Sequence, residues 1–143
     1  VFFTVGQGAL NHVTDDAGAG ARRVELRRLD SMVTGRAPAM LKVDVEGSEE
    51  AMLLGATRTL TDPTVKLITV EGSTPPMLKL LEDNGFERGF YDPFTRILQR
   101  TPNKLAYDNG KWTLSNEFFV RDWPFVEQRL ASARPVTVLG QSI

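Results

Sequence analysis

Cysteine is absent from the 143 residues and histidine occurs once, at His12. The first absence excludes disulfides, thiolate metal sites and a cysteine nucleophile, and it fits a reducing compartment such as the cytoplasm. The second excludes a His-based metal cluster and leaves any Ser–His–Asp arrangement a single imidazole. That imidazole lies in "GQGALNHVTDDAGAGA", a stretch rich in Gly, Asn and Asp, and reads as a surface loop residue. No apolar run approaches the roughly 20 residues that cross a bilayer, and no basic region with an apolar core opens the chain. Neither sign of charge forms an unbroken block. Seventeen Lys plus Arg face eighteen Asp plus Glu, so there is no electrostatic footprint for nucleic acid or an anionic membrane, and a small-molecule partner is expected.

What is present fits one α/β domain over residues 1–143, with 41% hydrophobic residues to build its core. "VFFTV" reads as a strand from the first residue, which is Val and not Met, and the expectation is a partial sequence entered in mid-fold. Residues 22–28 alternate as a half-buried or edge strand, and "LDSMV" begins a short helical turn. "MLKVDV", after Pro38, is expected to be a central strand with Lys42 and Asp44 on one parity. A helix follows over 49–60, capped by Ser48, with Met52, Leu53, Ala56 and Leu60 on its apolar face. Strand 65–71 and a helix from Pro75 to the Asn84–Gly85 stop complete a strand–helix–strand–helix pattern. Residues 86–91, 95–100 and 116–121 read as further strands, the first two joined by a turn at Asp92 and Pro93. Asp122–Trp123–Pro124 opens a helix through Leu130, and "PVTVL" is a last extended piece. Phe118 or Phe119 belongs to the core, and Trp112 and Trp123 are core or lid residues.

"LKVDVEGSEE" sets four carboxylates, Asp44, Glu46, Glu49 and Glu50, behind a short apolar run. In open α/β sheets, ligands sit beyond the carboxyl ends of parallel strands. Asp44 and Glu46 stand at one such end and Glu71 at the next, so parallel neighbours would bring all three to a shared rim. Such a rim can coordinate a hard cation, bind a cationic or hydroxyl-bearing ligand, or supply a general base. Asp44 is either functional or paired structurally with Lys42 or an arginine. Glu49 and Glu50 read as solvated charges of a first helical turn, and Gly47 as a backbone requirement. "VGQGAL" lacks the third glycine and the following helix of a phosphate loop.

Taken together, "LDSMV", "LKVDVEGSEEAMLLGA", "ITVE", "LLEDNGF" and "NEFFVRD" resemble the FkbM-type methyltransferase family over residues 24–121. The resemblance implies an S-adenosylmethionine-dependent enzyme with a doubly wound, Rossmann-like sheet, acting on a hydroxyl of a sugar, lipid or secondary metabolite. It implies that Asp44 and Glu46 are catalytic, that Asp44 and Glu71 face the cofactor, and that Glu46, Glu71 and Asn116 face the methyl acceptor. No residue is assigned to a metal. The family's glycine-rich cofactor loop has no counterpart in this chain, which reads as the back half of the fold, with antiparallel strands mixed in at its C-terminal end. An unpaired sheet edge, and self-association through it, are expected in consequence. Two rivals stand beside this reading: a truncated, non-catalytic binding module of the same descent, and a carboxylate-based divalent-metal enzyme.

Overall fold

The computed structural model describes residues 1–18, 20–93, 95–101, 107–108, 111–112, 116–135, 137–138 and 141–142. The strands are β1 (Phe2–Thr4), β2 (Val13–Thr14), β3 (Ala21–Arg23), β4 (Met40–Val43), β5 (Leu67–Glu71), β6 (Glu87–Asp92), β7 (Ile97–Gln99), β8 (Tyr107–Asp108), β9 (Lys111–Trp112), β10 (Asn116–Val120), β11 (Thr137–Val138) and β12 (Gln141–Ser142). The helices are α1 (Leu29–Met32), α2 (Glu49–Leu54), α3 (Thr57–Thr61), α4 (Pro75–Asp83) and α5 (Trp123–Ser132).

The chain is α/β, built on a mixed five-stranded sheet in the order β4-β5-β10-β6-β7. Within it β4 and β5 are parallel, whereas β10 runs antiparallel to both β5 and β6, and β7 antiparallel to β6. A separate antiparallel sheet, β2-β1-β3, holds the start of the chain. Period-two alternation assigns the two faces of the main sheet. Leu41, Val43, Ile68, Val70 and Phe119 face one side and are buried with Leu53 of α2, Leu60 of α3, and Met77 and Leu81 of α4. Phe118 and Val120 face the other side, where Trp123 and Val126 of α5 join Leu98. Gly89 makes that second layer fit, because a Cβ there would stand 3.1 Å from both Leu98 and Trp123.

Four expectations are corrected. Among the described residues β4 is an edge strand of its sheet rather than a central one, and Met40 on its outer parity is half exposed. The helix expected over 49–60 is broken in two. Gly55 closes α2 by donating its N–H to Ala51 O, and its carbonyl accepts Asp30 N–H, so the chain turns there before α3 begins. Regular pairing in the 22–28 stretch stops at Arg23, and Ser48 makes no side-chain cap. The other helices follow their signals: Thr74 accepts the Met77 N–H, Asp122 accepts the Phe125 N–H, and Gly85 takes φ +79° after α4. His12 is exposed, Trp123 is a core residue, and Phe119 is the more deeply buried of the two candidate phenylalanines. The Trp112 side chain, and residues 136 and 139 of "PVTVL", lie outside what is described.

Two polar residues tie the helical layer together over long sequence distances. Asp30 of α1 accepts from the backbone N–H groups of Arg58 and Thr59 and from the Thr59 hydroxyl, at 2.7–3.0 Å, and so caps α3 from outside, where Ala56 offers no side chain. Arg121, directly after β10, donates to the carbonyls of Leu60, Asp62, Val65 and Asn84, and its guanidinium lies 4.1 Å from the Phe86 ring.

Arg121→Met would leave four carbonyls without this donor and should lower the unfolding free energy by about 2–4 kcal/mol, read from urea denaturation. A change under about 0.5 kcal/mol, the scale of an ordinary surface substitution, would refute that role. At Asp30, partial burial works against the charge. The Thr59 hydroxyl, the Arg58 and Thr59 amides and the Arg58 charge outweigh it and hold the carboxyl below its ordinary value of 3.8. A carboxyl depressed by folding contributes stability above the unfolded value, and that contribution is lost as pH falls through the folded value. Denaturation midpoints of the wild type should therefore drop more steeply below pH 3.8 than those of Asp30→Asn, and parallel curves would contradict the assignment.

Candidate functional site

The parallel pairing of β4 with β5 matches Leu41 to Ile68, Lys42 to Thr69 and Val43 to Val70. One step further along both strands, Asp44 leaves the sheet beside Glu71, on the same face as Lys42. The antiparallel β10 starts at this level, with Asn116 paired to Glu71. The chain then reverses through Val45, Glu46, Gly47 and Ser48, where Ser48 N–H returns to Val45 O at 3.3 Å. Glu46 has φ +48° and Gly47 φ +87°. Positive φ at both central residues is the type I′ pattern, which favours Asn-Gly and strains a glutamate.

This turn brings Glu46 back to the strand ends. Carboxylate oxygens of Asp44, Glu46 and Glu71 all lie within 4.8 Å of one another, and the three residues are exposed. The shared rim expected of these residues is therefore present. Of the two readings weighed for Asp44, the structural pairing is present, because Lys42 Nζ donates to its Oδ2. That hydrogen bond, followed by the Lys42 charge, holds the Asp44 carboxyl below its ordinary range against the opposing effect of desolvation.

Neighbouring polar contacts brace the rim. Glu49 Oε1 accepts from Val45 N–H at 3.3 Å and Gly47 N–H at 3.1 Å, and Glu50 accepts from the Thr74 hydroxyl at 2.7 Å. Neither is the merely solvated charge its place in a first helical turn implied. Behind Glu71, the Ser73 hydroxyl and Arg88 both donate to Glu117 Oε2, at 2.7 and 2.6 Å. Nothing in the spacing of Ser73, Arg88 and Glu117 announced this cluster, since they come from three separate elements. A cleft of about 160 Å³, lined by Thr34, Arg36, Arg58, Thr59 and Asp62 among others, lies instead at the amino ends of β4 and β5, away from the rim.

A family profile described as the methyltransferase FkbM domain matches residues 4–88. The chain belongs to the FkbM methyltransferase family. The matched segment contains Asp44, Glu46 and Glu71 together with the turn and helices that place them, whereas Asn116 lies beyond it. No curated protein and no solved structure gives a significant match. Among the described residues of this FkbM domain no helix is long and apolar enough to cross a membrane.

Gly47 isolates the conformational demand of the rim turn, because an added Cβ would meet nothing within 4 Å. Gly47→Ala should therefore cost about 1–2 kcal/mol by the left-handed penalty alone, without steric relief from any second-site change. A stability equal to wild type in chemical denaturation would show that the turn readily adopts another form.

Proposed function

We propose that this FkbM domain transfers a methyl group from S-adenosylmethionine to a hydroxyl oxygen of a sugar, lipid or secondary metabolite in the cytoplasm. The observation that carries the reading is the meeting of Asp44, Glu46 and Glu71 within 4.8 Å at the carboxyl ends of two parallel strands. The donor set suits this cofactor, whose sulfonium and ammonium are cationic and whose ribose carries hydroxyls. Opposite charge attracts across such a contact, and water weakens that attraction at an exposed rim.

Asp44 and Glu71 would hold the cofactor's cationic groups, and the cofactor, when bound, supplies an electrophilic methyl carbon. Glu46 and Asn116 orient the acceptor hydroxyl. Something must also take the hydroxyl proton, and the Lys42 contact favours one of the two candidates. Asp44, bonded to an ammonium and held at a depressed pKa, is the poorer base. Glu46 is the proton acceptor, and Asp44 with its lysine serves to place charge.

The test is a pair of variants. Glu46→Gln should lower turnover about 100-fold or more, the scale of a lost general base, while donor affinity by calorimetry moves less than about threefold. Asp44→Asn should weaken donor affinity as well as turnover. Unchanged turnover in Glu46→Gln overturns the assignment, and a wild-type protein that binds the donor without transferring its methyl group supports a binding module.

The same 4.8 Å clustering favours a second reading, a divalent-cation site of carboxylate ligands. Lys42 argues against it, because its ammonium already supplies positive charge at Asp44. Turnover abolished by a chelator and restored by Mg²⁺ would favour the metal.

A further inference from the structure

The 45–48 turn is held in an unfavourable form by very little. Glutamate at φ +48° is strained, Glu46 and Gly47 are exposed, and the space around a Gly47 Cβ is empty to 4 Å, so side-chain packing does not impose the conformation. Besides the Ser48 N–H to Val45 O closure, the contacts that span the turn are the two N–H groups, of Val45 and Gly47, that converge on Glu49 Oε1. These bonds come from the first residue of α2, which Leu53 anchors in the core.

We propose that Glu49 is a positioning residue whose side-chain oxygen, by accepting both N–H groups, holds the turn in the left-handed form that carries Glu46 back to Asp44 and Glu71. Without that acceptor, Glu46 relaxes to negative φ and its carboxylate swings away from the strand ends. Glu49 itself touches neither donor nor acceptor. Its importance for turnover rests on the methyl-transfer reading, whereas its hold on the turn does not.

Two substitutions separate this role from that of a negative charge at a helix start. Glu49→Gln keeps the oxygen in place and removes the charge, whereas Glu49→Asp keeps the charge and withdraws the oxygen by one methylene. Amide hydrogen exchange and backbone chemical shifts, measured on the folded protein, report the turn directly. Gly47 N–H should exchange within about threefold of wild type in Glu49→Gln and at least about tenfold faster in Glu49→Asp and Glu49→Ala, with Glu46 shifts leaving left-handed values in the latter two. In the methyl-transfer assay Glu49→Asp should lose about tenfold or more in kcat, with KM for the donor within about threefold, and Glu49→Gln should restore kcat. The opposite order, with Glu49→Asp like wild type and Glu49→Gln impaired, overturns the proposal, as does a Gly47 amide indifferent to all three changes. A wild type that transfers no methyl group removes the functional reading and leaves the exchange result standing.

Discussion

The register between β4 and β5 is the constraint from which the site follows. Leu41, Val43, Ile68 and Val70 all point into the layer covered by α2, α3 and α4 and are buried there. Burying an aliphatic side chain contributes about 1.5–3 kcal/mol, so four of them outweigh the repulsion among three exposed carboxylates, which is about 1 kcal/mol per pair at 4 Å when water does the screening. The apolar residues therefore dictate where the acidic ones end. A slip of one residue would turn Asp44 or Glu71 to the opposite face and put an apolar neighbour into solvent. Parallel pairing matters as much as register. Had the crossover through α2 and α3 been a hairpin, the two acidic tips would have stood at opposite ends of the sheet.

The crossover keeps its shape through polar contacts between residues far apart in sequence. α3 is five residues long and has Ala56 at its N-cap position, so its first N–H groups have no local side-chain cap and depend on Asp30. At its other end Arg121 gathers carbonyls from α3, from the loop into β5 and from the cap of α4. Short helices are marginal on their own, and here tertiary hydrogen bonds do what length and capping do in longer ones. Because Arg121 continues from β10, the antiparallel strand that brings Asn116 to Glu71 also locks the layer behind the rim.

Much of this was legible from pattern alone. The alternation in "MLKVDV" and the apolar run ending at Glu71 located both strands, and the rim followed from the rule that such strand ends face the ligand. The Asn84–Gly85 stop and the helix starts at Pro75 and at Asp122–Trp123–Pro124 are local chemistry and were legible for that reason. The break at Gly55 was not, because the apolar positions from Met52 to Leu60 keep helical spacing across it, and the partner that ends α2 and caps α3 is Asp30, more than twenty residues upstream. The edge position of β4 was equally hidden. Burial on one parity is common to edge and central strands, and only the pairing of its neighbours distinguishes them. Within the site, composition named the carboxylates but not their roles. Glu49 looked like any acid in a first helical turn until its oxygen was seen between two amides of the preceding loop.

Lys42 makes the rim more than a collection of negative charge. It shares a face with Asp44 because the two are separated by one residue of a strand, so the same period that buries Leu41 and Val43 pairs the ammonium with the carboxylate. The pairing costs the cluster one negative charge in three and leaves Glu46 and Glu71 facing solvent beside it. A hard divalent ion gains most from several unshared carboxylates and would have to compete with a tethered ammonium for Asp44, whereas singly charged organic cations and hydroxyls need only one acceptor each. The same ammonium holds the Asp44 carboxyl below its ordinary range, which suits a residue that fixes charge and ill suits one that must take up a proton. The lysine thus sets carboxylates of similar chemistry apart, and the strained turn after Asp44 brings in Glu46, which is not bonded to that ammonium.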